Sequence, residues 1–155
     1  MVFEDIYKTH WKRVFRLCMG YVNDADVAKD IAQETFIIVW QQLPKLRSDV
    51  ALVSWILKIA SNQCLRQIGK ENKFPKTDLL PEIPEAPPPE IEDKVKFLYQ
   101  CIAELKETDR LIISLELEDV NQSEIAEIMG LTPSNVRVRI HRIKELLTEK
   151  FRRYE

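Results

Sequence analysis

The sequence has few glycines, cysteines and histidines, and it lacks a long apolar run. Among 155 residues there are three glycines, three cysteines and two histidines. The longest uninterrupted apolar stretch is Phe36 to Trp40, whereas a membrane-spanning helix needs about 20 apolar residues. Acidic residues at positions 4 and 5, with no apolar segment after them, do not suit a secretory leader. We therefore predict a cytoplasmic protein with no direct membrane insertion.

Three widely spaced cysteines, at positions 18, 64 and 101, predict reduced core residues rather than a disulfide framework or a metal site. The two histidines, His10 and His141, have no partner at the spacing of a zinc site. The chain also lacks an evident pairing of nucleophile and base or a phosphate-binding loop. These observations predict no catalytic site, no metal and no cofactor, so the chain is expected to be a binding protein rather than an enzyme.

Apolar residues recur at helical spacing and alternating β-branched stretches are rare, which predicts an all-α fold. Residues 72–93 hold six of the eight prolines and no glycine, which is typical of a semi-rigid linker. We predict two small helical domains, residues 1–72 and 93–155, joined by a proline-rich acidic linker at 73–92. In the polyproline II conformation, at about 3.1 Å per residue, roughly 20 residues span about 60 Å.

The net charge of −2 conceals two basic surfaces. Residues 1–76 carry 12 Lys and Arg against 8 Asp and Glu, and residues 77–93 carry none against 6. Within the balanced remainder, residues 133–153 carry 7 basic against 2 acidic residues. A basic segment of this kind is compatible with nucleic-acid binding, whatever the charge of the whole chain.

The stretch "NQSEIAEIMGLTPSNVRVRIHRIKELL", residues 121–147, predicts two helices around a tight turn. Asn121 is suited to capping the first helix, with Glu124 three residues on as in a capping box. Gly130 is suited to the left-handed residue that ends it. Thr132 then caps the second helix, and Pro133 occupies its first position. The spacing favours a helix-turn-helix over a generic helical hairpin.

On the second of these helices, at about 100° per residue, the inward stripe is Val136, Ile140, Ile143 and Leu147. The outward residues are Ser134, Asn135, Val138, His141, Arg142 and Glu145, with Arg137 and Arg139 on the flanks. A solvated basic face is the simpler interpretation. The apolar Val138 at its centre favours DNA, because valine suits a thymine methyl, Arg142 a guanine edge and the flanking arginines phosphates.

Residues 24–47, "DADVAKDIAQETFIIVWQQLPKLR", predict a helix with an unusual polar side. That side carries Asp26, Asp30, Gln33, Ile37, Trp40 and Gln41, with Glu34 at its edge. Apolar anchors ringed by polar groups are typical of a docking surface. The alternative is that Trp40 only completes the core against a neighbouring helix.

Residues 52–73, "LVSWILKIASNQCLRQIGKENK", predict a second long helix. Lys58, Asn62 and Arg66 lie on its basic side. Trp55 fits a core position better than a base-stacking one.

Taken together, "DIAQETFIIVW", "SWILKIASNQCL", the proline-bearing linker and "SEIAEIMGLTPSNVRVRIHRIKELL" resemble a bacterial sigma factor of the extracytoplasmic-function group. The resemblance covers nearly the whole chain, with halves similar to sigma regions 2 and 4 in order. It implies a non-catalytic transcription initiation factor that binds core RNA polymerase, directs it to promoter DNA through −10 and −35 elements and promotes melting. It also implies an anti-sigma factor as a partner, often one anchored in the membrane.

The resemblance assigns three groups of residues by position. It implies polymerase binding for Asp30, Gln33, Glu34, Ile37, Trp40 and Gln41. It implies contact with a flipped base of the −10 element for Arg47, Ser48, Asp49, Lys58, Asn62 and Arg66. It implies contact with the −35 element for Ser134, Asn135, Arg137, Val138, Arg139, His141 and Arg142.

The competing interpretation is a stand-alone helix-turn-helix regulator in which residues 1–72 form a dimerisation or effector domain. Such a regulator binds duplex DNA without polymerase, usually as a dimer on a palindrome. Binding to polymerase in the absence of DNA distinguishes the two.

Overall fold

The computed structural model describes residues 2–47, 51–67 and 91–154, and within these ranges the chain is helical with no strand. The predicted all-α fold is confirmed. The helices are α1 (Phe3–Val22), α2 (Ala25–Gln42), α3 (Leu52–Arg66), α4 (Asp93–Ala103), α5 (Glu107–Leu117), α6 (Gln122–Met129) and α7 (Pro133–Tyr154), with a 3₁₀ turn at Leu43–Lys45. Ser48, Asp49 and nearly all of the predicted linker lie outside the described residues.

Local capping chemistry sets the helix ends around the predicted helix-turn-helix. The side chain of Asn121 accepts a hydrogen bond from the backbone N–H of Glu124 at 2.9 Å, which caps α6. Gly130 ends α6 with a φ of 68°, in the left-handed region. The hydroxyl of Thr132 accepts from the N–H of Asn135 at 3.1 Å, directly ahead of the proline that begins α7. The four positions therefore have the roles that the sequence predicts.

Helices α1, α2 and α3 pack on one another around a cluster of aromatic rings. The ring of Tyr7 lies 5.3 Å from that of Trp11 and 5.0 Å from that of Phe36, measured between centroids. Phe15 extends the cluster along α1 and is 1% exposed. Because each aromatic side chain buries a large apolar area, this cluster fixes how α1 and α2 cross and so positions α3 beside them.

The two halves of the chain share one core. Helix α1 contacts α4 and α5 as well as α2 and α3, and the buried apolar residues of both halves form one continuous cluster. Gly20 of α1 lies against Ser114 of α5. The predicted domain boundaries remain predictions, but the helices on either side of the linker are in direct contact.

Among the described residues, no helix has the length and apolar content that a bilayer crossing requires.

The backbone at Gly130 gives a test of the turn. Gly130→Ala is expected to lower the free energy of unfolding by about 1–2 kcal/mol, because a Cβ is unfavourable in the left-handed region. Crowding makes no contribution, since nothing lies within 4 Å of the added Cβ. Urea unfolding measures the loss, and Gly130→Asn should lose less because asparagine tolerates this conformation.

The matched control is Ser123→Ala, at an exposed position on α6, which should change the free energy by no more than about 0.5 kcal/mol. Equal stabilities of the Gly130→Ala protein and the parent chain would contradict the strain argument.

Candidate nucleic-acid and docking surfaces

Helix α7 has the two faces that its periodicity predicts. Val136, Ile140, Ile143 and Leu147 are all buried, between 0% and 8% exposed. They pack toward α5 and α6, which both contact α7. The opposite face is therefore fixed in direction by the core beneath it.

The outward face of α7 is open to solvent. Ser134, Asn135, Arg137, His141 and Arg142 are exposed. Val138, at the centre of this face, is 50% exposed. An apolar side chain held this far into water by a rigid helix is available to an apolar group on a partner, as the sequence predicts.

Two neighbouring contacts order parts of this face. The guanidinium of Arg137 donates to the hydroxyl of Ser134 at 3.2 Å, and Nε2 of His141 lies 3.0 Å from a carboxylate oxygen of Glu145. Both pairs are exposed, so they cost little to exchange for contacts with DNA.

Arg139 differs from the other basic residues of α7 because it is held from two sides. Its Nε donates to the amide oxygen of Asn135 at 2.7 Å, and its Nη1 donates to a carboxylate oxygen of Asp109 at 2.9 Å. Asp109 lies in the first turn of α5, so this ion pair braces α7 against α5. The sequence alone gave no sign of the brace, because the two residues lie 30 positions apart.

An open cavity of about 830 Å³ lies between α2 and α3. Lys58, Asn62 and Arg66, which the sequence places on one side of α3, all line it together with Trp55. Gln41, predicted in the polymerase group, lines the same cavity from α2. Arg47 is exposed and is not among its lining residues. The cavity thus combines an indole ring, four side-chain amides (Gln41, Gln42, Asn62 and Gln63) and two cations.

The outer side of α2 is less exposed than its periodicity suggests. Ile37 is only 8% exposed, so the expectation that it projects into solvent is wrong. Trp40 is half-buried and packs against the core. The reason is that α1 and α3 both contact α2, which widens its buried arc beyond a single stripe.

The polar members of that side are nearer the surface. Asp30, Gln33 and Glu34 are half-buried, and Gln41 is exposed. Burial raises the pKa of the Glu34 carboxyl, and the guanidinium of Arg66 acts against that rise. The positive charge of Arg66, which lines the cavity from α3, therefore acts on the Glu34 carboxyl of α2.

Sequence reasoning missed the charged contact between the halves. Arg16 donates two hydrogen bonds to Glu118, from Nε at 2.9 Å and from Nη2 at 2.8 Å. Glu118 is only 8% exposed. In the sequence it stands among other acidic residues in "LELEDV", so nothing marked it as buried.

The three cysteines are free and buried, as predicted. The sequence did not reveal that Cys18 and Cys64 face each other, with their sulfur atoms 3.9 Å apart across α1 and α3. Burial raises the pKa of the Cys18 thiol, and contact with Cys64 adds to the rise. Both properties oppose formation of a reactive thiolate.

Comparison with known proteins gives two family matches in order along the chain. The model for Sigma-70 region 2 matches residues 6–74, and that for Sigma-70, region 4 matches residues 98–147. The RNA polymerase sigma-H factor of Pseudomonas aeruginosa is 27% identical, over 94% of this chain and 83% of that protein. The ECF RNA polymerase sigma-E factor of Escherichia coli K12 is 29% identical, over 89% of this chain and 80% of that protein.

Two solved structures have a similar fold. The sigma factor RpoE of Bartonella quintana, in complex with the anti-sigma factor NepR, has a TM-score of 0.75 at 17% identity, over 97% of this chain and 96% of that one. CnrH, in complex with the cytosolic domain of CnrY, has a TM-score of 0.69 at 16% identity, over 99% and 89%.

Ile37 provides a test of the α2 surface. Ile37→Ala is expected to lower the free energy of unfolding by about 2–4 kcal/mol, because it removes buried methyl groups and leaves a cavity. Gln41→Ala, at an exposed position one turn further along the helix, is the matched control and should change it by no more than about 0.5 kcal/mol. Denaturant unfolding of both variants measures the difference. An unchanged free energy of unfolding in Ile37→Ala would contradict the buried position of Ile37.

Proposed function

The chain belongs to the sigma-70 family and is a transcription initiation factor of the extracytoplasmic-function group, and we propose that it recruits core RNA polymerase to promoters through two separate DNA-binding surfaces. The proposal rests on one observation above all. Both matched sigma regions occur in one chain in order, and each contains a surface suited to its part of the task.

The outward face of α7 is the proposed surface for recognition of the −35 element. B-DNA admits an α-helix into its major groove, where each base pair presents a distinct pattern. Arg142 is suited to two acceptors on a guanine, and the exposed Val138 is suited to a thymine methyl. Arg137 and residues of the first turn bind phosphates, which positions the helix on the duplex without selecting its sequence. Arg139 acts here mainly as the brace to α5.

The cavity between α2 and α3 is the proposed site for a base of the opened −10 element. Extruding a base from the stack costs a few kcal/mol, and a shaped pocket offsets that cost for the base it fits. Asn62 supplies an amide for hydrogen bonds to the base edge, and Trp55 supplies a stacking face. Lys58 and Arg66 supply positive charge for the single-stranded backbone. Arg47, with Ser48 and Asp49 beyond the described residues, extends this predicted group.

The polar side of α2 is the proposed docking surface for core RNA polymerase. Asp30, Gln33 and Glu34 form its polar part, and the half-buried Trp40 is its aromatic anchor. Aromatic anchors near the centre of an interface, ringed by polar residues, carry a large share of binding energy. The buried Ile37 supports this surface from below instead of projecting from it.

An anti-sigma factor, often one anchored in the membrane, completes the proposed set of partners. The two structurally similar sigma factors are held by NepR and by the cytosolic domain of CnrY. We extend the same kind of partner to this chain and place its action in the cytoplasm, where polymerase and promoter DNA are found.

Affinity for bacterial core RNA polymerase, measured with no DNA present, tests the proposed function. One-to-one binding in the nanomolar range is expected. Absence of binding, together with good affinity for duplex DNA as a dimer, would instead support the stand-alone regulator. The presence of the region 2 match and its cavity favours the sigma factor.

Arg142 tests the −35 assignment. Arg142→Ala should reduce transcription from promoters that depend on the −35 element, because a good bidentate base contact contributes about 1–3 kcal/mol, or roughly 5- to 150-fold. Polymerase affinity should not change. Arg153→Ala removes the same charge from an exposed position near the end of α7 and should leave −35 selectivity intact. Equal losses for the two variants would indicate a general charge effect and remove Arg142 from the base-reading group.

Substitutions of two half-buried tryptophans, Trp40 on α2 and Trp55 on α3, test polymerase docking and DNA melting separately. Trp40→Ala should weaken polymerase binding by about tenfold or more, as expected on loss of an interface anchor. Trp55→Ala is the matched variant, since it also packs against the core. It should keep polymerase affinity and reduce opening of the −10 element. Binding assays well below both unfolding temperatures, with permanganate footprinting of the promoter, measure the two effects. The reverse pattern would exchange the two assignments.

A further inference from the structure

One polar side chain at the cavity between α2 and α3 is buried without a hydrogen-bond partner. Gln63, on α3, is only 5% exposed, and it lines the cavity. Among the residues that the structure describes, none forms a hydrogen bond with its side chain. A buried amide in this condition is rare, because nothing in the protein offsets its removal from water. Gln63 therefore has a property that the packing of the helices does not explain.

The other two buried polar side chains of α2 and α3 are satisfied by their own helices. The hydroxyl of Thr35 donates to the carbonyl of Ile31 at 2.9 Å, and that of Ser61 donates to the carbonyl of Leu57 at 2.8 Å. A short hydroxyl side chain reaches the preceding turn of its helix in this way. The longer side chain of Gln63 makes no such bond, so its amide is available to a molecule that enters the cavity.

The cavity has an exposed polar rim and a more enclosed interior. Its rim includes Lys58, Asn62 and Arg66, which are all exposed. Of the residues that line the cavity, Gln63 alone is buried. The half-buried lining residues are apolar or aromatic: Ile38, Trp55 and Ile59. A group that reaches the amide of Gln63 therefore passes the rim and then lies among apolar side chains.

These surroundings favour a neutral, planar ligand with hydrogen-bonding groups along one edge. Ile38 and Ile59 cannot solvate a charge, so a phosphate is disfavoured beside them. The indole of Trp55 provides a ring for stacking. A primary amide presents donors and an acceptor side by side, which can pair with a donor and an acceptor on the edge of a nucleobase. The cations of Lys58 and Arg66 suit the phosphates on either side of that base.

We propose that Gln63 is a base-reading residue, whose amide forms hydrogen bonds with the edge of a base extruded from the opened −10 element. This inference rests on the proposed function, since it adds a contact inside the same cavity. Asn62 contributes from the exposed rim, whereas Gln63 receives the inserted edge. A base that does not match leaves the buried amide unpaired, and a site of this kind rejects the wrong ligand more strongly than an apolar pocket does.

Gln63→Met removes the amide and keeps a side chain of similar length. Because the amide has no partner in the protein to lose, the urea midpoint of this variant should equal or exceed that of the parent chain. Gln100→Met makes the same change at an exposed position on α4 and is the matched control. A clearly lower midpoint for Gln63→Met than for Gln100→Met would make the amide a structural group and overturn the proposal.

Binding of single-stranded DNA by the holoenzyme, which is this chain assembled with core RNA polymerase, measures the contact. The probe is the oligonucleotide that the parent holoenzyme enriches from a pool randomised over a −10 element, after removal of sequences that core polymerase binds alone. Gln63→Met should weaken binding of the probe by at least about fivefold, the lower end for a good bidentate base contact. Gln100→Met should leave it unchanged, and all three chains should bind polymerase equally well.

Abasic nucleotides distinguish contact with a base from an indirect effect. Each position of the probe is replaced in turn by a nucleotide that lacks its base. At one position the parent should lose affinity, and with that abasic probe Gln63→Met should match the parent within about twofold, because the partner of the amide is already absent. The four bases tested at that position should differ less in affinity for Gln63→Met than for the parent. A full loss in Gln63→Met with every abasic probe would overturn the base contact.

The same assays separate failure of this inference from failure of the proposed function. Equal affinity of the parent and Gln63→Met holoenzymes for the probe would overturn the role of Gln63 and leave the proposed function standing. If the parent chain formed no holoenzyme, or its holoenzyme enriched no sequence beyond those that core polymerase binds, the proposed function and this inference would fail together.

Discussion

The packing of α1 against helices of both halves of the chain is the constraint on which the rest of the structure depends. Eleven of its twenty residues are buried, more than a single apolar stripe provides. A helix buried over so much of its circumference is an internal element rather than a surface one. One side supports α2 and α3, and so shapes the cavity between them. The other receives α4 and α5, and through α5 it sets the direction in which α7 faces.

How far the sequence predicted the structure depended on how many neighbours cover each helix. Helix α7 is covered from one side, so a 3.6-residue period separated its buried Val136 and Ile140 from its exposed Val138 and Arg142. Helix α2 lies between two helices. The same wheel therefore placed Ile37 on an open face, although the structure buries it. Periodicity gives the direction of the core, but the width of the buried arc is a tertiary property.

The sequence pattern did not predict the contacts between residues that lie far apart in the chain. Arg139 and Asp109 meet across 30 positions, and Arg16 and Glu118 across 102. Each residue in isolation looks like an ordinary surface charge. By contrast, Lys58, Asn62 and Arg66 lie on one helix, and their spacing alone brought them to one cavity. Local spacing therefore identified one wall of the cavity between α2 and α3, and only the fold supplied Gln41 on the opposite wall.

The distance in sequence between Arg16 and Glu118, 102 residues, has a consequence for how the protein is made. Chains are synthesised from the N-terminus at about 5–20 residues per second, and early segments fold first. The α1–α3 unit is therefore complete on the ribosome for several seconds before α5 emerges to cover Gly20. The contact between the two halves therefore forms after the helices of the N-terminal half, in the order of translation.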